Sequence, residues 1–135
     1  MSAEGDPVIV LSASESWQLL SSVSLGRLVT SVDGRPKIFP VNFAVQNRTV
    51  LFRTAEGTKL VSAAINNQVL FEADDYDDAG GWSVIVEGTT RTPHSDEELE
   101  EAERARLLPW VATEKPHYVR VKPTAISGRR FRFGN

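Results

Sequence analysis

Asp33-Gly34 stands between two runs rich in β-branched and aromatic residues and leaves the backbone little choice but to double back. Asp-Gly adopts the consecutive left-handed conformations that a tight two-residue hairpin demands. The flanking runs are Gly26 to Val32 and Arg35 to Val45, and Gln46-Asn47-Arg48 turns the chain again into Thr49 to Thr54. These three segments read as an antiparallel meander. Val69 to Ala73 reads as a fourth strand, followed by an acidic connection from Asp74 to Gly81. Trp82 to Pro93 is a fifth, with Trp82, Val84 and Val86 on one face and Ser83, Ile85 and Glu87 on the other. Tyr118 to Lys122 and Gly128 to Phe133 complete the set as two further strands.

Three short helices are predicted between them. Ser12-Ala13-Ser14-Glu15 fits a capping box and is followed by Trp17, Leu20 and Val23 at helical spacing. Glu56-Gly57-Thr58-Lys59 begins a second helix through about Ile65. Ser95-Asp96-Glu97-Glu98 is a second capping box, opening a helix that stops before Pro109. Six or seven strands without βαβ alternation predict a mainly β domain, a small antiparallel barrel with peripheral helices. No linker or repeat divides residues 1–135, so one domain is expected, with residues 1–10 as a flexible N-terminal segment.

Composition narrows the chemistry. The 135 residues include no cysteine, which removes disulfides, Cys-ligated metal centres and thiolate nucleophiles. Redox chemistry would have to come from a bound cofactor. A net charge of -3 argues against a nucleic-acid partner. No run approaches the roughly 18 apolar residues of a membrane span, and Val8 to Leu11 lacks the basic flank of a signal peptide, so a cytoplasmic location is expected.

Leu51-Phe52-Arg53-Thr54-Ala55-Glu56-Gly57-Thr58-Lys59-Leu60 is the most informative stretch. A strand delivers Arg53 and Thr54, the chain turns at Gly57, and Thr58 and Lys59 fall in the first turn of a helix. Helix N–H groups, a hydroxyl and two cations would converge there on a phosphate. The same residues also describe an ordinary capped turn.

Gly26-Arg27-Leu28, Asp33 to Asn42, the Arg53 to Lys59 stretch and Trp82-Ser83-Val84-Ile85-Val86-Glu87-Gly88 resemble, in order, the blocks of the FMN-binding split-barrel family related to pyridoxamine 5′-phosphate oxidase. The resemblance runs from about Leu11 to Phe131. It implies a split barrel with FMN as cofactor, a homodimer with cofactor sites between subunits, and a small-molecule substrate. The strand Lys37, Ile38, Phe39, Pro40, Val41, Asn42 would run along the flavin ring, with Asn42 a side-chain contact. Arg53, Thr54, Thr58 and Lys59 would hold the phosphate. Ser83 stands where the oxidase itself carries a glutamine. Trp82 would sit beside the ring, and Trp110 or the C-terminal strand would reach a partner's flavin. The chain ends Ile126-Ser127-Gly128-Arg129-Arg130-Phe131, without the Arg-Leu-His-Asp-Arg run of the oxidases proper. The expected role is therefore a flavin-dependent oxidoreductase on a substrate other than vitamin B6. A non-catalytic module binding a flavin, a deazaflavin or haem is the alternative.

Other residues have plainer readings. His94 precedes a helix cap and His117 opens a strand, though His117 could ligate haem. Asp74, Asp75, Asp77 and Asp78 read as a solvated loop rather than a metal site. Arg129, Arg130 and Arg132, with Lys122 and Arg120, read as an exposed edge strand guarded by charge or as an anion-binding cluster. Trp17 reads as core.

Overall fold

The computed structural model describes residues 6–54, 68–107 and 117–134. Asp33 and Gly34 take φ values of 52° and 74°, the pair a tight hairpin requires, and join β2 (Leu25–Val32) to β3 (Arg35–Gln46). The next turn repeats the device with Asn47 at 48° and Arg48 at 53°, leading into β4 (Thr49–Thr54). Before them lie β1 (Val8–Leu11) and helix α1 (Ala13–Leu20). After them come β5 (Gln68–Tyr76), β6 (Gly80–Arg91), helix α2 (Asp96–Arg104) and β7 (His117–Arg132). The helix expected over 56–65 lies outside the described residues.

All strands pair antiparallel in the order β1-β7-β4-β3-β2-β5-β6, and β6 returns to β7. The sheet therefore closes into a six-stranded ring, a mainly β split barrel as expected. β7 makes this closure possible. One of its edges pairs along β6, while the other is shared by β4 over His117 to Val121 and by β1 over Gly128 to Phe131. Two separate strands were expected here. A bulge between Glu87 and Gly88 carries the backbone past Pro123, which cannot donate to the ladder, so a single strand of 16 residues results. A methyl group on Gly88 would overlap the Lys122 carbonyl oxygen, so glycine permits this close approach.

Two other expectations change. Val8 to Leu11 lies within or beside the segment expected to be flexible, yet it is a strand held on β7. Asp74 and Asp75 belong to β5 rather than to a loop. Pairing with Ser83 and Trp82 of β6 outweighs the poor strand propensity of aspartate. β7 is likewise no open edge, since it is paired on both sides.

Inside the ring, Leu28, Phe43, Val50, Phe52, Phe71, Val84, Val86, Val119 and Val121 form the core, each at most 2% exposed. Helix α1 packs Trp17 and Leu20 against it. Its capping box is complete, with the Ser12 hydroxyl accepting from the Glu15 N–H and the Glu15 carboxylate accepting from the Ser12 N–H, both at 3.1 Å. Helix α2 has only half of the box. Ser95 accepts from the Glu98 N–H, but the Glu98 carboxylate takes the His94 N–H and pairs with Arg91 at 2.6 Å. Ala102 and Leu107 then cover Leu51 on the outside of the barrel. Among the described residues no helix is long and apolar enough to cross a membrane.

Candidate functional site

Strand alternation sorts the expected site residues between two faces. On β3, Val41 and Phe43 point into the core, and Val41 is only 2% exposed. Lys37 and Phe39 share that face farther along the strand, opposite Thr30 and Leu28 of β2. Ile38, Pro40 and Asn42 therefore point outward. On β4, Phe52 is core and Arg53 faces outward beside Tyr118 of β7.

The ladder between β3 and β4 ends at the Phe43–Phe52 pair. From Arg35 to Val41 one edge of β3 is held by β2, and no described strand lies along the other. Pro36 and Pro40 are four residues apart, so both ring nitrogens face the same side. A proline within a paired strand turns its nitrogen to the partnerless edge, where no N–H is missed. The open edge thus offers mostly carbonyl acceptors to whatever lies along it.

Arg53 stands at the end of this edge. Its guanidinium carbon lies 5.3 Å from the Tyr118 ring centroid, and its Nη1 donates to the Leu107 carbonyl at 2.8 Å. Its Nε is buried and, among the described residues, has no hydrogen-bond partner. A buried donor on a cation is costly to leave unsatisfied, and an anionic oxygen would satisfy it. Thr54 ends β4 opposite His117, which is exposed at the start of β7. Thr58, Lys59 and Trp110 lie outside the described residues.

Trp82 and Ser83 are not beside Asn42 and Arg53 within one chain. In the ring order β6 stands opposite β3, three strands away in either direction. Trp82 points inward at 8% exposure, and Ser83 faces outward between Asp74 and Arg129. The basic cluster is also divided. Arg120 donates to Thr49 at 2.7 Å and Gln46 at 3.0 Å, while Arg129 and Arg130 alternate between the faces of β7.

Sequence reading did not single out Tyr118 or the Leu107 carbonyl as partners of Arg53. Both are brought there by strand register and helix packing, which no local pattern announces. Nor did it bring together Arg27, Glu72 and Asp74, which meet on the outer wall of β2 and β5 at 2.8 and 3.3 Å. Burial, reinforced by the neighbouring Asp74 carboxylate, pushes the Glu72 carboxyl from 4.5 up to about 7, against the opposing pull of Arg27. Its folded value lies above its unfolded one, so the protonated carboxyl favours the fold below about pH 4.5. That contribution is lost as pH rises through 7. The thermal midpoint is expected to fall between pH 5 and pH 8. Glu72→Gln should flatten that fall and stabilise the protein at pH 8 by about 1 to 2 kcal/mol; parallel pH profiles for the two proteins would contradict the assignment.

The family model described as pyridoxamine 5′-phosphate oxidase matches residues 12–130. The solved FAD binding protein from Mycobacterium smegmatis is 69% identical, with a TM-score of 0.83 over 93% of this chain and 100% of that one. A solved pyridoxamine 5′-phosphate oxidase-like protein from Corynebacterium glutamicum is 43% identical, with a TM-score of 0.89 over 96% and 97% of the two chains. An uncharacterised Mycobacterium tuberculosis protein is 60% identical over 90 residues, or 67% of this chain and 82% of the relative.

Proposed function

This chain belongs to the pyridoxamine 5′-phosphate oxidase family, and from that premise we propose that it binds a flavin nucleotide and acts as a flavin-dependent oxidoreductase on a small molecule, as a cytoplasmic homodimer. The observation that carries the reading is Arg53, a half-buried cation at the end of an open strand edge whose buried Nε has no hydrogen-bond partner among the described residues. The 69% identical M. smegmatis protein is an FAD binding protein, so the proposed ligand is FMN or FAD rather than FMN alone.

Each residue present suits a part of such a molecule. Arg53 answers the dianionic phosphate, and Lys59, Thr58 and Thr54 follow it in sequence. The β3 edge from Ile38 to Asn42 offers carbonyl acceptors to the single N–H donor on the polar edge of the ring and would fix its orientation. The flavin, when bound, supplies hydride acceptance and electron transfer. Ser83 reaches such a site only from a second copy, because its own β6 lies across the barrel. The outer face of the barrel exposes Ile38 of β3 at 63%, Leu70 of β5 at 39% and Ile85 of β6 at 40%. Exposed apolar side chains on neighbouring strands support self-association.

A module that holds a flavin, a deazaflavin or haem without turnover is the second reading. It is favoured by β3 and β4 themselves, which contain no Asp, Glu or His to act as acid or base. Incubation with FMN, FAD, deazaflavin and haem in turn, followed by desalting and an absorbance spectrum, tests the binding. A retained flavin spectrum is expected, and a colourless protein in the flavin arms would overturn the proposal. Bleaching by a nicotinamide donor and recovery with an acceptor would then exclude the carrier reading.

A further inference from the structure

Asp75, Trp82 and Arg130 stand side by side on three neighbouring strands, β5, β6 and β7. Two strand spacings put the outer pair of backbones about 9 to 10 Å apart. Trp82 points inward, so alternation places all three on the inner face, at the mouth of the barrel. They line a cleft of about 600 Å3, within the range of small-molecule sites. Leu19 of α1 and Ile9 of β1 close one side, and Phe131 and Tyr76 form a rim. The rim is conspicuously aromatic. Tyr76 is 78% exposed, and behind it, outside the cleft lining, Phe133 is 45% exposed with its ring centroid 6.4 Å from that of Tyr76. Large rings held in water beside a cleft mark an interaction site more often than a packing need.

The charges around the cleft are arranged by side. Arg130 forms no hydrogen bond or ion pair among the described residues, and its field reaches the Glu15 carboxylate at the α1 cap. On the facing hairpin, Asp75 and Asp77 each commit one oxygen to the turn. Asp75 Oδ1 accepts from the Tyr76 N–H, and Asp77 Oδ1 from the N–H groups of Ala79 and Gly80. Their other oxygens are left to accept a donor. Asp6 lies on the same rim, so the cleft is not positive overall, and a bare anion has little reason to prefer it.

From this juxtaposition we infer that the barrel mouth is a second binding site, apart from the β3 and β4 wall, for a planar aromatic acid carrying an N–H donor at its far end. The indole edge and the rim rings cover the aromatic body. Arg130 pairs with the acid group in a forked, charge-assisted contact. Asp75 accepts from the donor. Neither a neutral ring nor an aromatic acid lacking the donor satisfies both ends.

Fluorescence titration with 6-amino-2-naphthoate, alongside 2-naphthoate and 2-aminonaphthalene, tests this on the full chain. The bifunctional probe is expected to bind about tenfold more tightly than either control, one extra satisfied polar end being worth about that factor. Arg130→Gln should weaken the two carboxylates about tenfold and leave the amine unchanged. Asp75→Asn keeps the oxygen that caps Tyr76 and should weaken only the two amines. Saturable binding of none of the three, or equal losses for all three in both variants, would overturn the inference. Displacement of the probe by FMN or FAD would also overturn it, since the cleft would then be part of the flavin site. Arg130 and Asp75 are solvent-accessible, and matching thermal midpoints exclude misfolding as a cause.

Discussion

Arg53→Ala is expected to weaken FMN and FAD by about 100-fold and riboflavin by less than about threefold. One guanidinium making two charge-assisted hydrogen bonds to a phosphate is worth about 3 kcal/mol, which is that factor. Riboflavin lacks the phosphate and loses only the packing of the side chain. Arg53→Lys should fall between, at about tenfold. It keeps the charge but cannot serve the Leu107 carbonyl and a phosphate together, as the planar fork can. Removing the guanidinium also leaves the Leu107 carbonyl without its donor, so a melting curve must accompany each titration. Equal losses for riboflavin and FMN would show that Arg53 supports the wall rather than the phosphate. Lys59→Ala in the Arg53→Ala background should lower FMN affinity again, since the sequence places both cations around the same turn.

Much of this fold is written in local patterns. Asp33-Gly34 and Asn47-Arg48 carry their turns in four consecutive-pair φ values, and Ser12 with Glu15 closes its own box. Trp82, Val84 and Val86 declare their face by alternation alone. What sequence reading misses depends on distant partners. Asp74 and Asp75 are poor strand formers, and only β6 makes them a strand. Val10 is 77% exposed, so Val8 to Leu11 shows little core signature and is fixed by the free half of one β7 edge. The site divides in the same way. The outward positions of Arg53 and Asn42 follow from strand alternation, but nothing local could show that Trp82 faces a different cavity. That fact is a property of ring closure. The pairing of Arg53 with Tyr118 is likewise a matter of register, and so is the meeting of Arg27 with Glu72 across 45 residues.

The second large effect concerns the ring itself. Phe71 is fully buried, meets Phe43 edge-on at 4.7 Å, and lies over Gly26, where even a methyl group would overlap its ring. Glycine at 26 is thus the space into which Phe71 fits, and the three residues tie β2, β5 and β3 together. Phe71→Ala is expected to cost about 3 to 5 kcal/mol, as the removal of a closely packed core ring does. Gly26→Ala should cost about 1 to 3 kcal/mol by overpacking. The two costs should not add. Without the ring, the methyl group at 26 enters vacated space, although the Glu72 carbonyl oxygen at 2.9 Å still resists it. The double variant should therefore be more stable than the sum of the single losses by about 1 kcal/mol, the scale of coupling between residues in contact. Urea unfolding with unchanged m-values would measure this, and strict additivity would show that Gly26 is there for its backbone and not for the ring. β2 is also the strand that holds the other edge of β3. Either single variant should accordingly weaken flavin binding without touching any residue that contacts the ligand, because the open edge is only as straight as the ladder behind it.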